Sequence, residues 1–158
     1  MLQLCSIIFN SLKIITMKKT AVTMVVMLFA TLTFAQKMQE KNVPANVKST
    51  FQKMYPTAKE VKWDKEDEKY EASFDLNKTD NSVLMDGQGN IIETEVEIEL
   101  TQLPKGVLDY VKTHYAGKQA KEGAKITDAK GIVTYEVEIK GMDLIFDSNG
   151  KFIKEVKG

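Results

Sequence analysis

Val43-Pro44-Ala45-Asn46-Val47-Lys48-Ser49-Thr50-Phe51-Gln52-Lys53-Met54-Tyr55 is answered sixty residues later by Leu103-Pro104-Lys105-Gly106-Val107-Leu108-Asp109-Tyr110-Val111-Lys112-Thr113-His114-Tyr115. In both stretches the apolar residues recur every fourth place, at 43, 47, 51, 55 and at 103, 107, 111, 115. That spacing puts them on one face of a helix. A proline near the first turn is tolerated there because no N–H is needed. Pro56 and Gly117 are expected to stop the two helices.

The correspondence runs on past the helices. Tyr70-Glu71-Ala72-Ser73-Phe74 matches Tyr135-Glu136-Val137-Glu138-Ile139, and Asp86-Gly87-Gln88-Gly89 matches Asp147-Ser148-Asn149-Gly150, in the same order. Ordered self-similarity at a long shift is the mark of an internal repeat. Four short strands follow each helix: 59–64, 69–75, 82–86 and 91–100, then 124–128, 132–139, 142–147 and 151–157. Their apolar residues alternate with charged ones, as half-buried strands require. The aspartate-glycine stretches supply hairpin turns. The fold predicted is α+β, two tandem α-β4 repeats (about 43–100 and about 103–157), with both helices packed on one face of an antiparallel sheet and the other face open to water.

Ahead of this domain the chain reads as a leader. Met17-Lys18-Lys19, an apolar run from Ala21 to Phe34, and small residues at Thr33 and Ala35 have the three parts of a secretory signal peptide. Cleavage is expected after Ala35 and translation is expected to start at Met17, leaving 36–158 as the exported domain without a stable membrane anchor. The apolar run is short for a membrane span. Cys5, the only cysteine, lies in the leader, so the domain has neither disulfides nor thiolate sites.

Over the whole chain 22 basic residues balance 22 acidic ones, but Lys13, Lys18 and Lys19 belong to the leader, which has no acid, so the domain carries net −3. Every basic residue is lysine. Without arginine the bidentate contacts to phosphates and bases are missing, which argues against a nucleic-acid partner.

The doubled pattern, Val43-Pro44…Phe51…Tyr55-Pro56…Val61-Lys62-Trp63…Tyr70-Glu71 and Leu103-Pro104…Tyr115…Tyr135-Glu136-Val137, each closing with an aspartate hairpin, resembles the exported PepSY-like domains, which share a fold with the beta-lactamase inhibitor proteins. The resemblance covers nearly all of residues 36–158. It implies a secreted or periplasmic domain and, through relatives that bind or inhibit proteins, a binding role. It fixes no functional residue.

Four groups of residues invite chemistry. Glu93, Glu95, Glu97 and Glu99 alternate along one strand, so their carboxylates share a face about 7 Å apart. That spacing falls within the range of glycosidase carboxylate pairs. Nothing adjacent in sequence desolvates one of them, so a solvated face with ordinary titration is expected, catalysis is disfavoured, and attraction of cations or a small cationic ligand ranks between. Asp86-Gly87-Gln88-Gly89-Asn90 resembles a calcium loop, but Ile91 stands where that loop needs glycine, and a hairpin turn is the better account. His114 stands alone in the last turn of the second helix, where the helix C-terminus favours it. Tyr110 and the region around Trp63 are candidate aromatic anchors for a partner. The site candidates are therefore Glu93, Glu95, Glu97 and Tyr110, for a non-enzymatic module that binds another exported protein. No cofactor or metal is called for.

Overall fold

The computed structural model describes residues 36–157. The leader and its cleavage point lie outside the described residues. Apolar residues at every fourth position form the two α-helices, α1 (Ala45–Met54) and α2 (Val107–His114). Val47 and Phe51 are the buried pair of α1, Val107 and Val111 of α2. The element order is β1 (Gln36–Met38), α1, β2 (Lys59–Glu66), β3 (Lys69–Leu76), β4 (Thr79–Asp86), β5 (Ile91–Ile98), α2, β6 (Glu122–Asp128), β7 (Val133–Ile139), β8 (Met142–Asp147) and β9 (Phe152–Lys157). The fold is α+β. All nine strands join one antiparallel sheet in sequence order, so β5 is its middle strand.

Each helix has its own apolar cluster. Val43, Val47 and Phe51 pack with Trp63, Ala72, Phe74, Val83 and Met85. The Phe51 ring meets Trp63 edge-on at 5.2 Å and Phe74 at 5.1 Å, a geometry that adds about 0.5–1.5 kcal/mol per pair beyond area burial. Leu103, Val107 and Val111 pack with Val137, Ile139, Leu144 and Phe146.

The turns explain how strands and helices stay in register. Asp86 Oδ1 accepts the backbone N–H groups of Gln88 and Asn90, both at 2.9 Å. Asp147 accepts those of Asn149 and Lys151, at 2.8 and 2.9 Å. A third turn of the same kind, absent from the sequence reading, has Asp128 accepting from Lys130 and Ile132, both at 2.8 Å. Two of the three turns touch a helix. A Cβ on Gly89 would stand 2.8 Å from the carbonyl oxygen of Asn46 in α1. One on Gly150 would stand 2.9 Å from that of Lys105, just ahead of α2.

Three local differences from the sequence reading have physical causes. α2 starts at Val107 rather than near Leu103, because Gly106 takes φ +90° and breaks the turn that Pro104 would open. Leu103 keeps its buried place from outside the helix. β5 ends at Ile98 because the Gln102 side chain accepts the Glu99 N–H at 2.9 Å and closes a 3-10 turn, Leu100–Gln102. A register shift on leaving the Asp86 turn puts Ile91, not Ile92, against the first cluster.

Candidate functional site

Residues opposite one another in neighbouring antiparallel strands point to the same side. From β5 outward this rule assembles a broad acidic face. Glu93, Glu95 and Glu97 share a side of β5. Through Leu84 opposite Glu93, and Glu71 opposite Leu84, the face extends to Glu71 on β3. Through Ala124 opposite Glu97, and Glu136 opposite Ala124, it extends to Glu136 on β7, with Glu138 two places on. Asp143 of β8 sits opposite Glu138.

The floor between these carboxylates is apolar. Ile126 lies directly opposite Glu95 and Ile145 directly opposite Glu136, and both isoleucines are only 8% exposed. Ala124, between Glu97 and Glu136, is 7% exposed. Ala124 lines a trough of about 410 Å³ whose walls include Glu71, Glu95, Glu97, Glu122, Glu136 and Glu138, and Ile126 and Ile145 flank Glu95 and Glu136 on the same face. Lys62 is the one basic residue among those that line it. At the rim Lys121 is engaged by Glu138, at 2.5 Å.

The electrostatics follow from this geometry. Burial pushes the Glu95 carboxyl up to about 7, and the charges of Glu71, Glu93 and Asp143 reinforce it. Burial also pushes Glu136 up to about 7, reinforced by Glu95, Asp143, Glu93 and Glu138. Glu71, Glu93 and Asp143 are raised too, each chiefly by burial. The expected solvated face with ordinary titration is therefore corrected. The buried apolar neighbours of Glu95 and Glu136, Ile126 and Ile145, arrive by cross-strand pairing from 31 and 9 residues away.

The structure brings Glu93, Glu95 and Glu97 together on this face and leaves Tyr110 apart from them on α2. The Tyr110 ring stacks on Phe152 at 4.9 Å and meets Phe146 edge-on at 5.5 Å, so it caps the second apolar cluster. His114 stacks on Tyr110 at 3.9 Å, and its Nδ1 lies 3.0 Å from the Tyr110 carbonyl oxygen. Trp63 is 6% exposed and forms part of the wall of a second groove, about 300 Å³, with Phe51, Tyr55 and Val61. Asp86 spends its carboxylate on its own turn, the Asn90 side chain donating to Oδ2 at 2.8 Å. Among the described residues no group of three or more His, Cys, Asp or Glu side chains is arranged to hold a metal ion.

Glu71, Glu136 and Asp143 were missed by sequence reasoning. The signal was present for two of them. Glu71 and Glu136 are the second members of the matched Tyr70-Glu71 and Tyr135-Glu136 dipeptides, whose tyrosines face the core. Their glutamates must then face the other way.

The model of a family described as "Putative beta-lactamase-inhibitor-like, PepSY-like" matches this chain over residues 33–93 and again over 77–154. The chain belongs to the PepSY-like family. Solved structures similar to this PepSY-like chain include a DUF2874 family protein from Bacteroides uniformis, 24% identical with a TM-score of 0.63, over 72% of this chain and 88% of that one. A protein from Bacteroides eggerthii described as "putative periplasmic" is 17% identical with a TM-score of 0.64, over 73% and 88%. A BLIP-like protein from Bacteroides fragilis is 21% identical with a TM-score of 0.57, over 72% and 86%. At these identities the likeness is one of fold. No curated protein sequence matches the chain. No helix among the described residues is long and apolar enough to cross a membrane.

Proposed function

We propose that this PepSY-like chain is a non-enzymatic binding module, exported to the periplasm, that engages another exported protein through the acidic face of its sheet. The observation that carries the reading is the trough. It gathers carboxylates from β3, β5, β6 and β7 around Ala124, with Lys62 the one basic residue in its lining, and the apolar Ile126 and Ile145 lie beside Glu95 and Glu136 on the same face. A polypeptide segment with lysine or arginine side chains on an apolar backbone stretch complements both features at once. The lining is chiefly carboxylate, with the uncharged Ser73, Asn81 and Ser82 among it, a surface suited to recognising a basic segment.

The reading includes the architecture: two copies of an α-β4 unit, both helices on the side of the sheet away from the trough. The matching glycine contacts at Gly89 and Gly150, the two apolar clusters and the two matches of the family model support it. The negative charge of the same face favours a small cationic ligand as a second reading. Size separates the two, since a polypeptide covers the apolar floor as well as the charge.

The test is affinity capture from an envelope extract with the wild-type protein and with a Glu71→Lys/Glu95→Lys/Glu136→Lys variant, checked for folding by circular dichroism. An exported partner held by the wild type and lost by the variant is the expected result. A partner held equally by both moves the binding surface off the trough.

A further inference from the structure

The position of Glu95 and Glu136 ties the trough to the proton concentration. Each projects beside a buried isoleucine on an interior strand of the sheet, where water is partly displaced from the carboxylate. The groups that face them from the surrounding strands are overwhelmingly acidic. β3 contributes Glu71 and Asp75, β4 Asp80, and β5 Glu93 and Glu97. β6 contributes Glu122, β7 Glu138 and β8 Asp143. β2 adds Asp64 and Glu66 at the margin. Asp86, Asp128 and Asp147 are tied into their turns. Against these stand Lys59, opposite Asp75, and Lys62 of β2, Lys69 and Lys154 acting on Glu93, Lys154 also lying opposite Ile145, Lys37 of β1 beside Asp64, and Lys121, taken up by Glu138.

We propose that the trough is a proton-gated docking surface, which holds a basic segment while the clustered carboxylates of Glu95 and Glu136 are charged and releases it when they take up protons. The proposal rests on the docking reading given above and adds its regulation. Desolvation and mutual repulsion both favour the neutral carboxyl, and a cationic occupant favours the charged one. Binding of a basic segment and loss of protons are therefore linked, each promoting the other. The titration of both carboxyls near neutrality agrees with this.

Two measurements on the purified protein test it. Carboxyl-detected NMR titration of the protein alone is expected to give midpoints for Glu95 and Glu136 well above the ordinary glutamate value. Binding of a fluorescent octalysine peptide is expected to tighten on the order of tenfold from pH 5.5 to 8.0, since two regained charges within reach of ammonium groups act together. A Glu95→Gln/Glu136→Gln variant, relieved of two desolvated charges and so expected to fold, should bind weakly with little dependence on pH. Ordinary midpoints for both carboxyls, or wild-type binding that is equally tight at the two pH values, would overturn the gating while leaving the docking reading in place. Raised midpoints with no peptide binding at either pH would overturn the docking reading itself and the gating with it.

Discussion

Only a hydrogen fits on the α-carbon of Gly89. Its φ is +84°, and an added Cβ would press on the Asn46 carbonyl oxygen and the Thr50 hydroxyl, both at 2.8 Å. Gly150, at φ +81°, faces the Lys105 carbonyl oxygen at 2.9 Å and the Val107 side chain at 3.2 Å. Gly131 has nearly the same backbone, φ +79°, but an added Cβ there meets nothing within 4 Å. The three positions separate backbone strain from steric contact. Gly131→Ala should cost only the left-handed penalty, about 1–2 kcal/mol. Gly89→Ala and Gly150→Ala should cost at least twice as much, because a backbone carbonyl at the start of a helix cannot rotate aside. Urea unfolding of the three variants checks this. Equal losses at all three would mean that the turns do not brace the helices.

At the scale of elements, Phe51 holds α1 to the sheet through ring contacts with Trp63 and Phe74, with Tyr55 at the helix's own end packed beside it. Phe51→Ala leaves a hole between three aromatic groups and should cost about 3–5 kcal/mol, read as a lower urea midpoint with loss of near-ultraviolet tryptophan signal. Both helices, and eight strands within a few residues of their ends, were legible in the sequence because fourfold and twofold apolar spacing record which side of an element is buried. β1 was not legible. Its three residues, Gln36–Met38, carry no alternation long enough to read, and pairing with Trp63, Asp64 and Lys65 makes them a strand. The Asp128 turn was missed because Ala129-Lys130 between its aspartate and glycine lacks the usual turn residues. The candidate site was half legible for a related reason. Glu93, Glu95 and Glu97 could be placed on one face from their own spacing, whereas the isoleucines that desolvate their neighbourhood arrive from β6 and β8 through pairing alone.

Across the whole molecule, the acidic face should make stability fall as pH rises through neutrality. Glu95 and Glu136 titrate at about 7 in the folded protein, chiefly through burial, against an ordinary value of 4.5 that the unfolded chain approaches. Between those two values the folded state binds more protons than the unfolded state, so unfolding becomes easier with each step toward alkali. The destabilisation is absent below about pH 4.5, grows through the window and is complete above about pH 7. Glu71, Glu93 and Asp143, also raised, act in the same direction. Asp86 acts oppositely: its carboxylate, held down chiefly by the Asn90 side chain, stabilises the fold above its unfolded value of 3.8 and loses that contribution in stronger acid. The two effects therefore occupy different pH ranges. After allowance for solvent screening of partly exposed groups and for the repulsion that Glu95 and Glu136 share, the loss from pH 5 to pH 8 should be on the order of 2–4 kcal/mol. Urea denaturation at the two pH values measures it directly. In the Glu95→Gln/Glu136→Gln variant most of that difference should vanish, and at pH 8 the variant should be more stable than the wild type. A wild type that is equally stable at both pH values would mean that the isoleucine floor does not desolvate the carboxylates beside it.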